Sequence, residues 1–230
     1  YSRCSIKKAI GVMKLFSNTI SFLYHPVFMV IYAYLIYFNM DTYVNRILYL
    51  FSPNFYWLFF FFLLSMAVVF PLITMVIMYK TNWISSYQIP IRKERLPVLV
   101  FVMIYYIMTY VIFRSWNQKL SFFIDPYVSF LFGGLALLAI LFFITIKWKI
   151  SLHTASVAGL AGGMMAVLLH QEEVYNLTTM MAINSILLLS IGLVSFSRLY
   201  LKAHNYGQIL AGIATGFLVM YIIVFNQWYI

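Results

Sequence analysis

The chain has 230 residues, of which 64% are hydrophobic and 9% charged, with a formal net charge of +10 and a mean hydropathy of +0.93. So few charges could not cover the exterior of a water-soluble domain, so composition excludes that class and leaves an integral membrane protein. The excess of Lys and Arg does not point to nucleic acid, because those residues fall between apolar runs instead of collecting on one polar face.

At about 20 residues per crossing plus short turns, the length suits six or seven spans, an all-α polytopic bundle with one membrane domain over 1–230. The apolar runs lie near 14–38, 56–79, 97–114, 126–147, 152–170, 177–197 and 206–226. In the first, Pro26 removes a backbone donor and crowds the preceding turn, so a kink or a late helix start is expected there, with His25 as a polar partner at the break. Pro71 predicts a bend in the second run, and the phenylalanine-rich stretch at 58–64 reads as lipid-facing. Tyr200 and Tyr206 fit an interfacial aromatic belt. His170, beside Glu172 and Glu173, reads as a solvated loop residue. The single cysteine, Cys4, excludes an internal disulfide and a Cys-based zinc or iron–sulfur centre, and no metal or other cofactor is implied. The sequence begins at Tyr1 rather than Met, which leaves upstream residues open, and no cleavable signal segment is recognisable.

Seven crossings put Arg3, Lys7, Lys8, Lys14, Lys80, Arg92, Lys93, Arg95, Lys147, Lys149, Arg198 and Lys202 on one side, and Arg46, Arg114 and Lys119 on the other. Cytoplasmic loops carry the positive excess, so the N-terminus is expected in the cytoplasm and the C-terminus opposite, in a cell (inner) membrane protein. Asp41, Asp125, Glu172 and Glu173 fall on the poorer side, and Glu94 alone joins the basic one.

Three polar segments meet on the basic side: RKERLP at 92–97, KISLH at 149–153 and SRLYLKAH at 197–204. Each sits where a helix leaves or enters the membrane, with an even number of crossings between them, so one pocket could collect them. Guanidinium forks, hydroxyls and helix N-terminal amides cradle phosphate, while one histidine can attack phosphorus and a second can protonate the leaving oxygen. Lys80, Lys147 and Lys149 read as interfacial anchors rather than ligands.

Ser197-Arg198, five residues, His204, three residues, then Gln208 resembles the third signature of the type-2 phosphatidic acid phosphatase and vanadium haloperoxidase superfamily. In that signature an Asp occupies the last position. SLH at 151–153 is similar to the end of its second signature, and RKERLP to a degenerate first one, so the resemblance covers about 90–220. It implies a phosphatase-like core in which His204 is the nucleophile and His153 the general acid. Arg95, Arg198 and Ser151 would bind phosphate, with Lys93 or Arg92 in place of the family's lysine.

The departures are specific. Ile150 and Leu152 replace a proline and a glycine, Leu96 separates Arg95 from Pro97, and Gln208 stands where the family has its acid. Gln208 can accept a hydrogen bond from an imidazole N–H and fix its tautomer, but cannot neutralise an imidazolium. In the serine protease triad an Asp-to-Asn change beside the histidine costs about 10⁴ in rate. Glu94 is the one acid on that side that could substitute.

His204, Gln208, Gly212 and Gly216 recur every four residues, as do Ala155, Gly159 and Gly163, so both helices offer small-residue stripes for close packing. The leading expectation is a metal-independent membrane phosphatase acting through a phosphohistidine on a lipid phosphate or polyprenyl pyrophosphate. The alternative is a catalytically silent phosphatase-like protein, acting as a lipid-binding protein or as a subunit of a membrane complex. Haem ligation by His153 and His204 suits two neighbours on one face less well than phosphate does, and the lack of an evident inverted repeat disfavours a secondary transporter.

Overall fold

Inside a bilayer every backbone N–H and C=O must find its partner within the chain, and the apolar runs meet that demand by forming helices. The computed structural model describes residues 2–51, 53–87, 89, 91–119, 124–170 and 176–228, with the side chains of 2–9, 51 and 170 outside that description. Glu172 and Glu173 lie outside the described residues.

Nine helices follow in order among the described residues: α1 (Ser2–Leu23), α2 (Pro26–Phe38), α3 (Tyr43–Phe51), α4 (Phe55–Lys80), α5 (Arg92–Lys119), α6 (Asp125–Lys147), α7 (Leu152–His170), α8 (Leu177–Tyr200) and α9 (Tyr206–Phe225). Helices α4 to α9 are each long and apolar enough to cross a membrane, and Ile10–Leu23 with α2 passes the same test as a pair bent by 61°. The chain is therefore a multi-pass membrane helical bundle.

The bend falls where the sequence places it. Pro26 is the first residue of α2 and needs no hydrogen-bond partner there, and His25 caps the helix by accepting the Val27 amide on Nδ1 at 3.4 Å. At Pro71 the expected disturbance takes the form of a π turn, Ser65–Val69, within a continuous α4. Helix α5 starts at Arg92, earlier than the apolar run at 97, and takes in Pro97 near its first turns. The backbone bond lost there is the one to the Lys93 carbonyl, close to the polar end of the helix. Helix α3 lies in a stretch that the hydropathy pattern leaves as a connection; its start is braced by Arg46, whose fork meets Asp41 at 2.7 and 2.9 Å.

Helix α7 is the centre of the bundle. Two thirds (67%) of its spanning window is buried, against 22–39% for the other five spans, and it packs on α9, α8, α2 and α6. Its contact with α9 is the most extensive among the described residues, because the small-residue stripes lie face to face. A Cβ added to Gly212 would stand 2.8 Å from the Ser151 carbonyl oxygen, and one added to Gly216 would run into the Ala155 carbonyl. Gly159 and Gly163 serve other neighbours, Leu137 with Met220 and Phe130 respectively.

The end of the bundle away from the basic segments is filled by aromatic rings, with Tyr127 within 5.7 Å of Tyr34, Tyr37 and Phe38, centroid to centroid. The α5–α6 turn is pinned there by Asn117, which donates to Asp125 at 2.5 Å and accepts the Ile124 amide at 3.0 Å. Alternation of the six spans places the ends of α4, α6 and α8 and the starts of α5, α7 and α9 at the opposite end. Helix α1 joins it there, since Tyr200 Oη donates to the Ile10 carbonyl at 3.3 Å.

Candidate functional site

The starts of α2, α5, α7 and α9 and the end of α8 build the site. The segment before α7 is held by Ser151, whose amide donates to the Gln208 carbonyl at 3.3 Å and whose Oγ accepts the Thr154 amide at 3.5 Å. Thr154 Oγ1 bonds back to the Ser151 carbonyl at 3.1 Å and reaches that of Ile209 at 3.4 Å. The first turns of α7 and α9 are thus tied together, which fixes His153 relative to α9.

Helix α8 closes with Lys202 in the left-handed region at φ 53°, a position that usually takes glycine. That turn brings the chain back so that Asn205 can cap α9. Asn205 Oδ1 accepts the Gln208 amide at 3.0 Å and Gln208 Oε1 accepts the Asn205 amide at 3.4 Å, a reciprocal capping box. The same Oε1 meets His204 Nδ1 at 2.9 Å. An amide oxygen only accepts, so Nδ1 carries the ring proton and the neutral ring keeps its lone pair on Nε2. Burial, with Arg198, Arg95 and Lys149 nearby, lowers the pKa of His204 to about 4, although the bond to Gln208 pulls the other way. His204 is therefore a neutral imidazole at neutral pH, 8% exposed.

Around it the charges are positive. Arg198, in the last turn of α8, reaches Ser21 Oγ with Nη1 at 3.5 Å, while its Nε is buried without a hydrogen-bond partner among the described residues. Arg95, in the first turn of α5, donates Nε to the Ile89 carbonyl at 3.0 Å. Ile89 holds a φ of 45°, a strained setting for a β-branched residue that costs about 1–3 kcal/mol. Lys149, just before α7, has its pKa lowered by partial burial and by the charges of Arg95 and Arg198. Glu94, the acid that could have stood in for the family's Asp, is engaged elsewhere: its Oε2 accepts the Ser85 amide and hydroxyl at 3.0 and 2.9 Å.

Arg95, His153, Arg198 and His204 line one cavity of about 190 Å³ that continues inward between apolar walls. His25 lines it as well, its ring centroid 5.1 Å from that of His153 with the planes at 90°. Its sequence role at the break is confirmed by the cap, and the structure adds a place at the cavity. A histidine next to a helix-starting proline at the depth of other basic residues was the available signal. The remaining candidates stand apart from the lining. Ser151 is fully buried and occupied as a helix cap, Lys93 is exposed, and Arg92 donates Nη1 to the Lys147 carbonyl, closing the end of α6 onto α5.

The cluster thus offers two guanidiniums, three imidazoles and a nearby amine, with no carboxylate among the residues lining the cavity. Such a site attracts an anion, and Arg forks favour one with several oxygens. In comparisons with known proteins, the chain matches no family model, no curated protein and no solved structure.

Proposed function

We propose that the chain is an integral membrane phosphohydrolase that cleaves a lipid phosphate through a phosphohistidine on His204, without a metal. The observation that carries this reading is the group of Arg95 and Arg198 with His153 and His204 at one end of an apolar cavity that contains no lining carboxylate. The resemblance of 197–208 to the third signature of the phosphatidic acid phosphatase superfamily supports it. Placing polar and charged groups at one membrane depth is costly unless they serve a ligand or a proton path.

In this reading Arg95 and Arg198 hold the non-bridging oxygens, with Lys149 adding charge. The Nε2 lone pair of His204 attacks phosphorus as the bond to the lipid oxygen breaks, and His153 gives that oxygen a proton, releasing the alcohol. Water then attacks the phosphorus–nitrogen bond, returns a proton to His153 and releases inorganic phosphate. Gln208 holds the tautomer that exposes the lone pair.

Gln208 also favours a second reading, a phosphate-binding protein that does not turn over, because an amide stabilises the imidazolium-like phosphohistidine less than a carboxylate would. One experiment separates the two: phosphate release from a panel of lipid phosphates by the purified protein and by its His204→Ala variant. Release that disappears in the variant supports the hydrolase; tight binding with no release in either supports the silent protein. The charge distribution supports a site at the cytoplasmic face, since the sequence assigns twelve basic residues to that end and three to the other.

A further inference from the structure

The cavity extends well beyond the phosphate-sized cluster, and its walls change character abruptly below it. On α5, Arg95 is followed along the same face by Val98, Leu99, Val102 and Tyr106, all on the lining. Eleven residues at 1.5 Å each make this stripe about 16 Å deep. The wall of α7 runs from His153 through Ser156 to Gly159 and Leu160. Its one hydroxyl is turned away, donating to the His153 carbonyl at 3.0 Å. Tyr106, Phe130 and Met220 line the inner end, where the Tyr106 ring packs against Gly134, whose added Cβ would stand 3.0 Å from it. The volume, about 190 Å³, falls below the roughly 300–1,000 Å³ of pockets for drug-sized ligands.

We propose that this cavity takes the hydrocarbon tail of a single-chain lipid phosphate into the bundle, while the phosphate stays between Arg95 and Arg198. The proposal rests on the phosphate reading of the cluster. Polar groups at one end and apolar walls beyond them fit an amphiphile with one charged end, and a volume of about 190 Å³ favours one chain over two. Carbon–carbon bonds near 1.5 Å advance about 1.25 Å each along an extended chain, so about twelve carbons reach the level of Tyr106.

The test is binding, measured by calorimetry on the detergent-purified protein with non-hydrolysable n-alkylphosphonates of four to twelve carbons and with inorganic phosphate. Affinity should rise with length, by up to about fourfold for each methylene that leaves water. Val102→Trp, and independently Leu138→Trp on α6, which also lines the cavity, should lower the ratio of dodecyl to butyl affinity at least tenfold. An analogue with two twelve-carbon chains should bind no more tightly than the single-chain one. Farnesylphosphonate, with the same backbone length and methyl branches, separates an isoprenoid from an unbranched source by which of the two binds more tightly. Equal affinity at every length with phosphate still competing, or both chains adding affinity, overturns the tail pocket and leaves the phosphate reading intact. Failure of every phosphonate and of phosphate to bind overturns both.

Discussion

Replacing Gln208 by Glu changes one atom type at the site and keeps its reach. The present amide oxygen sits 2.9 Å from His204 Nδ1, so a carboxylate there would meet the ring at the same distance. Two unit charges about 4 Å apart interact by about 4 kcal/mol at an effective dielectric of 20, worth about a thousandfold in proton affinity at 1.36 kcal/mol per factor of ten. Solvent at the cavity mouth trims that figure. His204, now lowered to about 4 by burial and its cationic neighbours, would return towards the ordinary range of an imidazole and become a stronger nucleophile. If the protein is a hydrolase, kcat/KM at pH 8 should rise between about tenfold and a thousandfold, below the factor of about 10⁴ that a carboxylate supplies in the protease triad. The acid limb of the pH profile should move with it. In the parent protein activity should hold down to about pH 4, where His204 protonates, and in the variant it should fade from near neutrality. Gln208→Asp is one methylene shorter and should gain less, and Gln208→Leu should abolish turnover. The assay is phosphate release across pH 4–9, with a ring-nitrogen NMR titration of His204 as the independent reading. A Gln208→Glu protein that is folded, yet shows the parent rate and acid limb, would refute the catalytic placing of His204.

Three further outcomes follow from other parts of the molecule. Gly216→Ala should cost about 3 kcal/mol or more, since its Cβ would meet the Ala155 backbone, whereas Gly192→Ala, with nothing within 4 Å, should be neutral or stabilise by about 0.5–1 kcal/mol; thermal unfolding in detergent compares them. Because the folded pKa of His204 lies below the ordinary 6.5, the unfolded chain binds more protons between the two values, so stability is full above about pH 6.5 and falls as pH drops towards 4. His204→Gln should flatten that slope in melts recorded across the window. For the proposed orientation, cysteines at 202 and 118 report on the two ends in intact cells; an impermeant reagent should label 118, and labelling of 202 alone would reverse the assignment.

Much of this architecture was legible in the sequence because a bilayer leaves few options. Each long apolar run became a helix, and Pro26 marked the break between α1 and α2. The four-residue spacing of Gly212 and Gly216 pointed to close packing because only a bare Cα allows a backbone carbonyl so near. Helix α3 escaped notice since hydropathy selects segments that meet lipid, and α3 lies outside that rule. At the site, His204 and Gln208 were readable as a pair one turn apart, which is a local relation. Lys149 and His25 were not, as their place depends on how α6 and α2 come back to the cluster across long stretches of chain. Ser151 shows the reverse case: its spacing suits a ligand, but the start of α7 needs its oxygen for a cap.

Along α4, Phe55, Phe59, Leu63, Ala67, Pro71 and Met75 keep a strict interval of four, and each is at least partly buried. On a regular helix of 3.6 residues per turn a step of four overshoots by about 40°, and five such steps would carry the stripe through about 200°, from the core out to lipid. The wider π turn at Ser65–Val69 winds fewer degrees per residue and absorbs much of that drift. It works as a phase corrector: the far half of α4 is in register with the aromatic core, and the near half presents Pro71 and Met75 to the cavity. Deleting a single residue there would leave hydropathy and length almost untouched while rotating one half against the other, so the cavity wall would be lost to a change that composition does not register.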